Sequence, residues 1–303
     1  MANVDEFTFL NRRNQRLHCV SYLPEEQAFP FCVLIWHHGY GEHSSRYRPV
    51  MKRMADNGVA IFTYDCHGHG QSDPASPRAL VNKFEYLVDD IEMYYNIVMQ
   101  RVVQRYGKLL PVFFGGQSLG ALVCIHAVLR SHSHQPCAGL LLHSAVLNVV
   151  WTPMLKVQAF FGTILSKLFP KARIVKAVKP SAMSEDPDVV RDYTADPLNF
   201  VGKVRVRTAH EILKGFRSLT GREHLITVPV YAVHGKCDKT TCANAVRNFC
   251  LLVKSDNVCF TEVPDTYHEM LMGKHREFHA INMVVWLKQT ACKLAHESSA
   301  TTD

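Results

Sequence analysis

Val112-Phe113-Phe114-Gly115-Gly116-Gln117-Ser118-Leu119-Gly120-Ala121 is the stretch on which the fold of this chain turns. Its centre, Gly116–Gly120, spells G-x-S-x-G between an apolar run at Val112–Gly116 that reads as a buried strand and a periodic run at Leu119–Ser131 that reads as a helix. At such a strand-to-helix turn a serine is held in a strained conformation that lifts its hydroxyl clear of the sheet. Glycines flank it because the tight turn crowds any side chain. Glycine and serine are common in turns, so the pentapeptide alone is a weak signal. Its place between strand and helix is what makes Ser118 the candidate nucleophile.

The segments on either side repeat the alternation. Phe7–Leu10 and Leu17–Tyr22 flank the polar turn Asn11–Asn14 and read as an opening hairpin. Phe31–Trp36 and Val59–Tyr64 are short apolar strands separated by helical spacing over Tyr47–Asn57, and a long helix spans about Glu85 to Tyr106. Gly139–His143 is a further strand after the serine helix. Continuous apolar strands alternating with helices imply an α/β fold with a mostly parallel central sheet covered on both faces. Between about Ala145 and Ile226 the rhythm stops, and Pro153, Pro170, Pro180, Pro187 and Pro197 punctuate a helical, basic segment. It resumes with a strand at Val228–His234, a helix at Ala243–Val253, a strand at Val258–Val263 and a closing helix near Arg276–Leu294. The expected organisation is a core over 1–144 and 227–296, a helical cap inserted at 145–226, and a flexible polar tail at 297–303.

A serine hydroxyl needs a base to become a nucleophile, and the base needs a carboxylate to orient it. Asp238 follows the strand at Val228–His234 and His268 follows the strand at Val258–Val263, which gives the chain order Ser, acid, His. Asp256 precedes the last strand and Asp265 crowds His268 in sequence, so both are weaker acids for the role. The tetrahedral intermediate needs backbone N–H donors. Leu119 follows the serine, and Tyr40 sits in His37-His38-Gly39-Tyr40-Gly41 at the end of an early strand. Glu42 and Arg46, at i, i+4 spacing, are expected to pin that loop rather than meet substrate. Asp65–Gly70 gathers Asp, Cys and His, yet one tight turn cannot aim them all at a metal, and a serine triad needs neither metal nor cofactor.

Together these residues resemble the monoacylglycerol lipase and lysophospholipase-like branch of the α/β-hydrolases. The resemblance is carried by His38-Gly39-Tyr40-Gly41-Glu42-His43-Ser44, Asp65-x-His67-Gly68-His69-Gly70-Gln71-Ser72, the serine elbow, His234-Gly235-x-x-Asp238 and His268-Glu269, and spans most of the chain. It implies hydrolysis of a carboxylic ester, typically a monoacylglycerol, beneath a helical cap. Tyr40 stands where relatives often have a smaller residue, and Gln117 and Ala121 vary the usual elbow.

The cap points to lipid independently. From Pro153 to Leu168 the apolar residues, Phe160, Phe161, Ile164 and Leu165 among them, fall on one broad helical face opposite Lys156 and Lys167, so these four are candidates to bind substrate. Residues 148–225 hold thirteen Lys/Arg against seven Asp/Glu, six of the chain's seven net positive charges. A basic amphipathic surface of this kind fits peripheral contact with anionic membrane. It offers no Lys/Arg-rich run or motif for nucleic acid. Ten cysteines without C-x-x-C pairing and an opening with no signal-peptide pattern suggest a cytoplasmic, reduced protein. A small-ester hydrolase, thioesterase, peptidase or acyltransferase would use the same triad, and a non-catalytic receptor on this fold stands as the alternative outside enzymes. An epoxide hydrolase or dehalogenase is disfavoured, because the elbow carries serine where those enzymes need a carboxylate.

Overall fold

The structure is a computed structural model and describes residues 1–25, 28–130, 135–176 and 178–300. The chain opens with strands β1 (Asn3–Leu10), β2 (Arg16–Leu23) and β3 (Cys32–His37), helix α1 (Arg48–Ala55), strand β4 (Val59–Tyr64) and helix α2 (Phe84–Tyr106). Strand β5 (Val112–Gln117), helix α3 (Leu119–Arg130) and strand β6 (Gly139–His143) follow. Before the next strand of the central sheet come α4 (Pro153–Phe160), α5 (Gly162–Leu168), β7 (Arg173–Val175), α6 (Pro187–Ala195), β8 (Val204–Arg205) and α7 (Val206–Leu219). The chain closes with β9 (Val230–Gly235), α8 (Ala243–Leu252), β10 (Val258–Val263) and α9 (Arg276–Ala300).

Eight strands form one sheet in the order β1-β2-β4-β3-β5-β6-β9-β10, in which only β2 runs against its neighbours. The strands are apolar on both sides because both faces are covered. Ile35, Phe62 and Phe114 pack with Leu87 and Ile91 of α2 and Leu122 of α3. Leu34, Trp36 and Phe113 point the other way, onto Met51 of α1 and Met283 and Leu287 of α9. Chain order reverses between β3 and β5, and the crevice beyond the C-terminal ends of these strands is where a doubly wound sheet binds its ligand.

Three features differ from expectation. The single amphipathic helix read over Pro153–Leu168 is two, α4 and α5, broken at Phe161. The segment between β6 and β9 also holds a two-stranded antiparallel pair, β7 with β8, whose three and two residues are too short to show a strand period. At the C-terminus α9 carries the chain in helix to Ala300, through residues 297–300 where a flexible tail was expected. Residues 301–303 of that expected tail, and Ser131 of the expected serine helix, lie outside the described residues. The segment between β6 and β9 is tied down over β3's C-terminal loop, where the Phe200 N–H donates to the Gly41 carbonyl at 2.7 Å and His43 Nε2 meets the Asp196 carboxylate at 2.8 Å.

Candidate active site

Ser118 sits between the end of β5 and the start of α3 with φ +53°, a left-handed backbone that a serine adopts only under constraint. The constraint is visible. The Ser118 N–H donates to the His143 carbonyl at 2.9 Å, and the Ser118 carbonyl accepts from Val146 N–H at 3.2 Å, so the end of β6 holds the turn. The flanking glycines are dictated by close approach. A Cβ on Gly120 would stand 2.0 Å from the His37 carbonyl oxygen, and one on Gly116 would stand 2.4 Å from the Gly120 carbonyl carbon.

Asp238 lies three residues past β9 and His268 five past β10, so strand ends bring both to the same sheet edge as Ser118. Asp238 Oδ2 meets His268 Nδ1 at 2.7 Å. Its Oδ1 accepts from the Thr240 and Thr241 N–H groups at 2.7 and 3.0 Å, and the Thr241 hydroxyl donates to Oδ2 at 2.7 Å. His234 Nε2 adds a contact to Oδ2 at 3.2 Å. The carboxylate is therefore held by hydrogen bonds to its charged form. Burial raises its pKa, but the two imidazoles outweigh burial and hold it well below the usual carboxylate range. His268 carries the matching shift: burial, the largest single influence, lowers its pKa, but the charge and hydrogen bond of Asp238 with the nearby Glu269 and Glu42 charges together outweigh it, and the balance lies above the ordinary imidazole value. The His268 carbonyl accepts from Gln117 Nε2 and Ser144 Oγ, each at 2.8 Å, which anchors the histidine to the ends of β5 and β6. Asp256 and Asp265 are exposed and make no hydrogen bond or ion pair with His268 among the described residues. Ser118 and His268 face the same small cavity without a direct hydrogen bond among the described residues, a separation common before substrate closes the site.

The N–H groups of Tyr40 and Leu119 donate to no protein acceptor among the described residues, and both residues line the cavity above Ser118. The Tyr40 side chain turns aside: its hydroxyl donates to the Ala79 carbonyl at 3.4 Å, and its ring packs edge-on against His69 and Phe200. Behind this loop Glu42 Oε1 accepts from Gly39 N–H at 2.6 Å and from the Tyr47 hydroxyl at 2.5 Å. Arg46 joins Glu42 at 2.7 Å and grips both oxygens of Glu269 at 2.8 Å. Burial raises the pKa of Glu42, but Arg46 and the other donors outweigh it and leave the carboxyl ionised below its ordinary value. One buried guanidinium thus ties the Tyr40 loop to the residue beside His268. The Asp65–Gly70 turn is bound up within the protein, with Asp65 accepting from the Ser44 N–H and hydroxyl and from Gln71 N–H. Among the described residues no cluster of His, Cys, Asp or Glu could hold a metal ion. All ten cysteines are free; five are buried and Cys292 is exposed.

Two cavities meet at Ser118 and Tyr40. The larger runs under helices α4, α5 and α7 between apolar walls that include Leu165, Val204, Leu213 and Phe216. The smaller is lined by Glu42, Tyr193, His268 and Glu269 among others. Of the four cap residues expected to meet substrate, only Leu165 lines the larger cavity. Phe160, Phe161 and Ile164 correct that expectation: they lie outward, with Phe160 82% exposed. On α4 the inward face is that of Leu155, Gln158 and Ala159, which leaves Phe160 outward, and beyond the break at Phe161 helix α5 turns Leu165 inward and Ile164 outward.

A family model described as serine aminopeptidase, S33 matches residues 30–275. The chain belongs to that family. An uncharacterised abhydrolase domain-containing protein of Dictyostelium discoideum is 27% identical over 90% of this chain, which spans only 28% of that larger protein. The monoacylglycerol lipase of Mycolicibacterium smegmatis is 26% identical over 85% of this chain and 88% of its own length. The solved structure of a soluble variant of Saccharomyces cerevisiae monoglyceride lipase, in complex with a substrate analogue, superposes with a TM-score of 0.81 at 16% identity, covering 96% of this chain and 95% of that one. The fold of this S33-family chain is the α/β-hydrolase fold, as the strand order and the serine elbow indicate.

Proposed function

We propose that this chain is a serine hydrolase that cleaves monoacylglycerol-like lipid esters through an acyl-enzyme. Ser118 Oγ attacks the ester carbonyl as His268 accepts its proton, and Asp238 orients the imidazole and stabilises its charge. The Tyr40 and Leu119 N–H groups take the oxyanion. Collapse breaks the C–O bond, the alcohol leaves with the proton from His268, and water repeats the sequence on the acyl-serine to release the fatty acid.

The observation that carries this reading is the contrast between the two cavities that meet at Ser118. The large one is walled almost wholly by apolar side chains and suits an acyl chain, while the small one is too short for such a chain and sets Gln117, Thr240 and Glu269 beside Val178 and Met183, which suits a short hydroxylated alcohol. Charge favours a neutral alcohol over a phosphate head group. Among the described residues no Lys or Arg lines the small cavity, two carboxylates do, and Arg46 behind them is spent on both. The aminopeptidase named in the family description would need a carboxylate beside the acyl residue to bind its ammonium group. The large cavity has none among its described lining, and the two carboxylates of the small one are already engaged by Arg46.

The outward face of α4 and α5 supports peripheral membrane contact. Met154, Val157, Phe160, Ile164 and Leu168 are exposed beside Lys156 and Lys167, with Lys171, Lys176 and Lys179 nearby. Among the described residues no helix is long and apolar enough to cross a membrane. A panel of purified substrates tests the function: oleoyl glycerol, oleoyl lysophosphatidate, oleoyl thioester and an aminoacyl amide. Highest kcat/KM on the glycerol ester, with the phosphate analogue at least tenfold lower, supports the reading. Preference for the phosphate or the amide refutes it.

A further inference from the structure

The helices that roof the large cavity each turn one stripe toward it. On α7 the stripe is Val206, Ala209, His210, Leu213 and Phe216, spaced three and four apart so that they share a face. On α4 it is Leu155, Gln158 and Ala159, continued by Gly162 at the start of α5. Each stripe is apolar but for one residue. His210 Nδ1 and Gln158 Oε1 are buried and have no hydrogen-bond partner among the described residues.

Neither orphan is explained by the protein around it. The Gln158 amide is turned by its Nε2, which donates to the Ile174 carbonyl at 3.4 Å and leaves Oε1 as a free acceptor. His210 Nδ1 abuts Gly162 so closely that a Cβ there would stand 3.2 Å away. Burial keeps the imidazole below its ordinary pKa, so near neutral pH it is uncharged, with one donor and one acceptor nitrogen. Buried polar atoms without partners are costly, and leucine at both positions would complete an apolar tunnel for a saturated chain.

We propose that His210 and Gln158 form a polar station in the acyl cavity that recognises a fatty acyl chain carrying a hydroxyl group along its length. The hydroxyl donates to Gln158 Oε1 or exchanges a hydrogen bond with the neutral His210 ring. A saturated chain leaves both atoms unpaired. The inference rests on the reading of the large cavity as the acyl site, and it is independent of what the small cavity binds.

The test uses p-nitrophenyl esters of octadecanoic acid in mixed micelles, one unsubstituted and others bearing a single hydroxyl at successive carbons, so that glycerol recognition plays no part. The readout is the ratio of kcat/KM for each hydroxylated ester to that of the unsubstituted one, which cancels losses common to both. In the wild type one hydroxyl position gives a ratio at or above unity. In the His210→Leu/Gln158→Leu double variant that ratio falls about tenfold, as expected for losing a hydrogen bond at a buried site. His210→Gln, which keeps a donor and an acceptor, restores part of it. A double-variant ratio within twofold of wild type at every position overturns the inference. Wild type that cleaves these esters but no monoacylglycerol contradicts only the proposed function. Wild type that cleaves neither overturns both.

Discussion

Replacing Asp238 with asparagine exchanges one oxygen for an NH2 group where the surrounding contacts dictate which oxygen is lost. The Thr240 and Thr241 N–H groups both donate to Oδ1, so the amide oxygen must stay there and the NH2 must turn toward His268 Nδ1. That NH2 requires a lone pair on Nδ1, which drives the imidazole proton to Nε2, the nitrogen that has to accept from Ser118. On this account kcat falls by about 10⁴, equivalent to about 5.5 kcal/mol of barrier. The pH profile moves as well. In the wild type the base works only when unprotonated, and its pKa lies above the ordinary 6.5, so the rate climbs with pH through a midpoint above that value. Removing the Asp238 charge leaves burial, which lowers the pKa, and the midpoint shifts down. Initial rates on a soluble p-nitrophenyl ester across pH read both effects, with circular dichroism to confirm the fold. Full rate in Asp238→Asn, an upward-shifted midpoint, or the same loss from Asp256→Asn or Asp265→Asn would refute the reasoning.

Other substitutions probe the parts around the triad. Arg46→Met leaves Glu42 and Glu269 buried without their counter-charge, the three side chains being 8%, 5% and 3% exposed, and should cost about 3–5 kcal/mol in denaturant unfolding; a loss under about 1 kcal/mol contradicts the bridging role. Gly120→Ala drives a methyl into the His37 and His38 carbonyls and should destabilise by about 3 kcal/mol, whereas Gly273→Ala, with nothing within 4 Å, should be near neutral; equal effects would remove the crowding argument. Phe160→Ser with Phe161→Ser should weaken cosedimentation with anionic vesicles by tenfold or more and spare turnover of a soluble ester, since each ring can bury apolar area in the bilayer boundary. Equal vesicle binding by variant and wild type leaves the cap face without a membrane role.

What the sequence made legible follows from local physics. The elbow is readable because its two glycines lie within five residues, Gly116 crowded by Gly120 itself and Gly120 by the end of the neighbouring strand, so both constraints are written into one pentapeptide. Asp238 and His268 are readable because strands ending at one sheet edge deliver whatever follows them to the same place. The cap resisted for a different reason. Periodicity shows that Pro153–Leu168 has apolar residues at helical spacing, but not that the helix breaks at Phe161 or which apolar residues turn inward, so Phe160 was expected in the cavity that Leu155 and Ala159 line. The Glu42–Arg46 spacing signals half of a network. Its other half, Glu269, lies 223 positions away from Arg46; the His268-Glu269 pair is visible in the sequence, but its partnership with Arg46 is not. His234 contacts Asp238 four residues on, within a motif the sequence shows, whereas Tyr193, which lines the small cavity, arrives by tertiary approach alone.

The central claim is that Ser118 is the nucleophile, and it is tested most directly by covalent capture. Wild type and Ser118→Ala are treated with a fluorophosphonate probe, digested and mapped by mass spectrometry, with oleoyl glycerol hydrolysis followed in parallel. The account predicts one modification, on the peptide containing Ser118, that rises in step with loss of hydrolysis, and a folded Ser118→Ala protein that takes no label and retains no more than about 10⁻⁶ of the rate. Labelling at another residue, or near-wild-type hydrolysis by the folded variant, would contradict it.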